Sequence, residues 1–235
     1  MDIHKPKAAH SWREFLIEIG TIICGILIAL GLEQAVEVVH RNAEVREARE
    51  LLRDDLKTRS QELGYSIEED RCVLQQLDRY DAWADGGAKP DRFRMYSTLS
   101  RSSVWETVKG TAVPHMSIPE RVQLTNLFDL TDDSARNRMM QLVQWDQLDR
   151  AWSHGSLQNG EARKLHEEVA VFRTDTRAHA QENLAALDMI SAFGIQPSPL
   201  TKFWRDKLAW VCGGRAEDPF AVIDPKTAAK DRSRP

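Results

Sequence analysis

A chain of 235 residues with 42% hydrophobic and 29% charged residues can bury a core, which excludes global disorder. Its net charge of −4 supplies no positive field, so nucleic acid is not an expected partner. The cysteines Cys24, Cys72 and Cys212 form no CxxC and no Cys/His cluster, so no metal site is expected. Cys72 and Cys212 can pair, but a single pair makes no disulfide framework.

Residues 1–13 read as a short tail carrying Lys5, Lys7 and Arg13. Residues 14–39 then read as a transmembrane helix. Ile19 to Leu32 carries no charge, and Phe15 to Leu32 holds only Glu18, close to the ~20 residues a span needs. Trp12 stands where an interfacial aromatic belongs. Two other readings compete. Ala29-Leu30-Gly31 is a small-x-small triplet suited to signal cleavage, although Glu14 and Glu18 do not suit the preceding region. A buried helix of a soluble domain should show a stripe, whereas this segment is apolar or small on every face.

Glu18 and Glu33 stand about 22 Å apart along a helix, less than a ~30 Å hydrocarbon core, so at least one is an intramembrane carboxylate. Glu18, Ile22, Gly25, Ala29, Leu32 and Val36 share one face by three-four spacing. The Gly25/Ala29 pair lets two helices approach closely, which predicts transmembrane packing with Glu18 turned into an oligomer interface. The alternative puts Glu18 at the headgroups. Basic residues flank both ends, so orientation rests on the short leading tail. It predicts a signal anchor with the following domain outside the cytoplasm.

Residues 40–85 continue as a long amphipathic helix. Val45, Ala48, Leu52, Leu56, Leu63, Ile67, Leu74 and Leu77 recur at gaps of three, four and seven, the pattern of an amphipathic helix or coiled coil. Interleaved Glu and Arg over 44–53 read as a solvated face, and Gly64 as a point for a kink. Gly86-Gly87 and Pro90 end the helix. A polar connector follows, RFRMYSTLSRSS, with a short helix expected in it. Residues 91–213 form the rest of a helical bundle. Ser103 to Glu106 and Ser117 to Glu120 read as capping boxes. Leu124, Phe128, Ala135, Met139, Leu142 and Trp152 mark one helix. Leu165, Val169, Phe172, Thr176, Ala180, Leu184 and Leu187 mark another, and Ser198-Pro199 starts a last one. Residues 214–235 read as a flexible tail. The predicted fold class is all-α.

Two stretches carry a family resemblance. The N-terminal Trp12-x-Glu14-Phe15-x-x-Glu18 with GILIAL, and VWETVKGTAVPHMSIPE over 104–120, together resemble a group of uncharacterised bacterial single-pass membrane proteins. In that group an anchor precedes a helical domain with a W-E-T…H-M segment. Gly110 is followed here by Thr111 and is displaced from the group's pattern. The resemblance implies membrane anchoring and an all-α domain, and no activity.

No GxGxxG, P-loop or GxSxG is present, and His166-Glu167-Glu168 is not HExxH because position 170 is Ala. His115, His154, His166 and His179 have no catalytic partner at a telling spacing. Asp132-Asp133 reads as a solvated pair. Trp145 and Trp152, seven apart, share a helix face and read either as core or as an aromatic pocket. No cofactor or catalytic residue is expected. The expected function is a non-enzymatic, membrane-anchored helical protein of the bacterial inner membrane, acting through self-association or partner binding. Its expected partners are the lipid bilayer, a second copy, and a membrane or periplasmic protein. A ligand-sensing bundle and an ion-conducting oligomer using Glu18 are the alternatives.

Overall fold

The computed structural model describes residues 12–96, 102–155, 157 and 160–213. Within them the chain is all-α, with no strand: α1 (Trp12–Ala84), α2 (Ser103–Val108), a 3-10 turn (Val113–His115), α3 (Ile118–His154), α4 (Glu161–Ala192) and α5 (Lys202–Val211). The leading and trailing tails expected at 1–11 and 214–235 lie outside the described residues.

Local chemistry sets the helix ends. Ser102, one residue before the expected cap, accepts the Trp105 N–H at 2.8 Å. Ser117 caps α3 through Glu120 N–H, but the Glu120 side chain turns to Arg49, which donates to it through two nitrogens at 2.7 Å. Gly155, at φ 86, ends α3 in a conformation open to a residue without Cβ. α5 starts at Lys202 rather than at the expected Ser198, because Pro197 and Pro199 hold the preceding chain extended.

α1 runs through Gly64 without interruption for 73 residues, about 110 Å. No residue of its first part, through Glu44, is buried; the first buried residue is Val45. From there α1 is the central helix of the bundle, so the segment 40–85 is part of the same core as 91–213. Val45, Ala48, Leu52, Leu56 and Leu63 are buried within the chain. This corrects the coiled-coil expectation: the chain's own helices occupy the face that could have met a second copy.

Side-chain pairs give the helix directions. His179 meets Asp70 and His166 meets Asp81, so α4 is antiparallel to α1. Arg49 meets Glu120 and Arg138 meets Asp70, so α3 runs parallel to α1. The connector descends along α1, held by side chains. Tyr80 Oη accepts the Phe93 N–H, and Gln76 both accepts the Arg94 N–H and donates to the Arg94 carbonyl at 2.8 Å. Glu69 accepts the Tyr96 N–H. The connector is therefore neither helical over 88–96 nor merely polar: Phe93 and Met95 enter the core.

The core divides in two. One cluster, nearer the apolar end of α1, joins Leu52, Leu56, Trp105, Leu127, Phe128 and Ile190. The other joins Val73, Leu77, Phe93, Leu148, Val169 and Phe172. Between them lies a polar layer. On α3 and α4 the buried stripe runs through Thr131, Ser134, Arg138 and Gln141, and through Thr176, His179 and Asn183. The apolar positions predicted there slip off that stripe: Met139 and Leu184 are exposed.

Candidate functional site

The polar layer is the most chemically loaded region of the bundle. Glu69 and Asp70 come from α1, Arg138 and Gln141 from α3, and His179 and Asn183 from α4, and each is at most 3% exposed. Arg138 donates to Glu69, to Asp70 at 3.2 Å and to Gln141 Oε1 at 2.7 Å. The other Asp70 oxygen lies 2.6 Å from His179 Nδ1. Ser134 donates to Asn183 at 2.6 Å, and Asn183 also touches the His179 ring. Two carboxylates thus face one guanidinium. A buried layer is costly unless its charge is matched.

Burial pushes the Glu69 carboxyl up to about 7, against the pull of Arg138 and of the Tyr96 N–H. The folded protein therefore holds this proton after the unfolded chain has released it. The stability contributed is full below pH ~4.5 and is lost as pH rises through about 7, on the order of 3 kcal/mol. The unfolding midpoint of the full chain in detergent should therefore fall between pH 5 and 8. Glu69→Gln should flatten that slope; an unchanged slope would show that the proton resides elsewhere.

A crevice of about 40 Å³ opens onto the layer, lined by Arg59, Ser66, Ser134, Arg138, His179 and Asn183 among others. That volume suits water or a single small ion. A larger cleft of about 560 Å³ lies where α3 and α4 meet, with Arg150, His154, Lys164, Glu161 and Glu168 on its walls. Beside it His166 lies 2.6 Å from Asp81 and 3.1 Å from Asp85. The hydrogen bond to Asp81 raises the imidazole above its ordinary range. His115 is exposed at the end of the 3-10 turn, and Asp133 pairs with Arg136. No cluster of three or more metal-ligating side chains occurs among the described residues.

Trp145 and Trp152 do share a face, and it serves the connector. Their indoles donate to the carbonyls of Phe93 and Pro90 at 3.2 and 2.9 Å, and the Lys89 ammonium sits 4.1 Å from the Trp152 ring centre. Neither ring lines the cavities above.

α1 is long and apolar enough to cross a membrane, and none of its most apolar window is buried in the chain. A core helix of a soluble bundle would be covered. Glu18, Glu33 and Ala29 are exposed on it, and Gly25 faces open space. Thr21 satisfies its hydroxyl on the Ile17 carbonyl at 2.8 Å. Cys24 is free, whereas Cys72 and Cys212 form a disulfide across 140 residues that ties α5 to α1.

Sequence reasoning missed the polar layer because Glu69 and Asp70 read as ordinary helix charges. A signal was present: Leu63, Asp70 and Leu77 are spaced by sevens, so Asp70 occupies a position in the apolar stripe. Comparison with protein-family models, curated proteins and solved structures finds no match for this chain.

Proposed function

We propose that this protein is a non-enzymatic, membrane-anchored helical module that works by self-association or by holding a partner protein. Its bundle stands outside the cytoplasm, at a bacterial inner membrane. One observation carries the reading: the uncovered apolar segment and the central helix of the bundle are the same unbroken helix, α1. A tether built this way passes tilt or rotation directly into the bundle. The Cys72–Cys212 disulfide supports the outer placement, since such bonds persist in oxidising compartments.

Centrifugation of lysed cells should place the full chain in the membrane pellet, released by detergent and not by high salt. Protease added to spheroplasts should digest the bundle. Chemical cross-linking in those membranes should give a species above the monomer. Recovery in the soluble fraction removes the anchor, and a strictly monomeric chain with no cross-linked partner removes the interaction role.

A second reading, a ligand-sensing bundle, is favoured by the small crevice that Arg138 and His179 line. Its ligand would have to be small and polar, and its binding would raise the unfolding midpoint.

A further inference from the structure

α5 is the least embedded of the long elements of the bundle. Val211 is its one buried residue, and no residue of α5 belongs to either core cluster. Both clusters are completed by other parts of the chain, so the core stands without it. The chain leading into α5 offers a hinge. Ile195 is the last residue before α5 that the core holds, and Gln196 to Pro199 and Thr201 are exposed.

The bond Cys72–Cys212 closes α5 onto α1 at the end of the helix farthest from that hinge. Cys212 is exposed and Cys72 half-buried, so a thiolate can reach the Cys212 sulfur from solvent. Access of this kind separates exchangeable bridges from those sealed in a core. The non-covalent hold is peripheral: the Lys207 ammonium stands 4.9 Å from the Tyr96 ring centre, and Arg94 donates to the Trp210 carbonyl at 3.3 Å.

Beneath α5 lies a residue that gains from its departure. Tyr65 is 0% exposed, and its ring centre is 4.8 Å from that of Trp204 and 6.2 Å from that of Tyr96. Its hydroxyl is buried and makes no hydrogen bond among the described residues. A dry, unpaired hydroxyl costs free energy that water returns on exposure. The closed position of α5 therefore contains a drive to open, and the covalent bond opposes it.

We infer that Cys72–Cys212 is a reducible latch: exchange with a dithiol frees α5 on its hinge and uncovers Tyr65 and Tyr96, while α1, α3 and α4 stay packed. One thiolate of the dithiol attacks the Cys212 sulfur and forms a mixed disulfide. The Cys72 sulfur leaves as a thiolate and takes up a proton. The second thiolate of the dithiol then attacks its own partner sulfur in the mixed disulfide, and Cys212 leaves and takes up a proton. Two electrons and two protons pass to the cysteine pair, and the dithiol becomes a disulfide. The inference goes beyond the anchoring and self-association reading and does not depend on it.

The test uses the full chain in detergent, in a Cys24→Ser background so that every thiol detected comes from the bridge. The chain is equilibrated with mixtures of reduced and oxidised dithiothreitol, without denaturant. Reduction should yield two thiols and leave nearly all of the helical circular-dichroism signal. Protease should then cut between Gln196 and Thr201 several-fold faster than in the oxidised chain, and fragments carrying α3 and α4 should persist. Reoxidation should restore the resistance. A bridge that is reduced only where denaturant unfolds the whole chain overturns the latch. So does reduction that leaves the hinge cut at the same rate, or that opens α3 and α4 together with α5. As a second measurement, Trp204→Ala thins the cover over Tyr65. It should move half-reduction to a several-fold lower ratio of reduced to oxidised dithiothreitol. An unchanged ratio would overturn the coupling between the bridge and the docking of α5.

Discussion

Arg138→Leu should cost about 3–5 kcal/mol of folding stability, the range for removing one partner from a buried ion pair. The substitution leaves the side-chain volume nearly filled, so the loss is electrostatic rather than a cavity effect. Glu69 and Asp70, adjacent on α1 and both 0% exposed, are then left with no guanidinium beside them. Denaturant unfolding followed by tryptophan fluorescence reads the effect, since Trp145 reports on α3 and the connector. The electrostatic origin has its own check. Glu69→Gln with Asp70→Asn in the Arg138→Leu background should recover a large part of the loss, because a layer of neutral groups carries no unmatched charge. An Arg138→Leu cost below about 1 kcal/mol, the level of a surface pair, would mean that the layer is not held by charge.

The second large effect is expected at the disulfide. Cys212→Ser opens a loop of 140 residues, for which chain entropy alone gives about 5 kcal/mol and experience with native bridges gives about 2–5. At a few degrees per kcal/mol for a domain of this size, the unfolding midpoint should fall by about 10 °C. The loss should also have a place. Val211 is the one residue of α5 that is buried. Other contacts of α5 include Trp204 against Tyr65 of α1 and the hydrogen bond from Arg94 of the connector to the Trp210 carbonyl. In Cys212→Ser, protease should cut first between Phe193 and Thr201 and release α5 before α3 or α4 is touched. Equal midpoints with and without reductant would show that the aromatic contacts alone hold α5.

Both effects concern groups whose meaning was hidden in the linear pattern. Helix type and the turns at Gly86-Gly87, Gly155 and Gly194 were legible because they follow from local periodicity and from which residues tolerate a turn. The apolar run was legible as well, since solvation depends on composition over a window. The helix with Leu165, Val169, Phe172 and Thr176 was read correctly for about three turns. It was then misphased at Ala180 and Leu184, because the buried positions there are His179 and Asn183. A pattern that scores burial by hydrophobicity cannot follow a face through its polar residues.

By itself, then, the sequence determined an all-α chain with one lipid-compatible segment, through short-range steric and solvation preferences. Only the tertiary structure decided which carboxylates are buried, that the amphipathic face of α1 is spent on its own bundle, and that Cys72 meets Cys212. The reason is physical: these outcomes depend on which distant surfaces exclude water from one another, and a residue's own identity does not say what will lie against it.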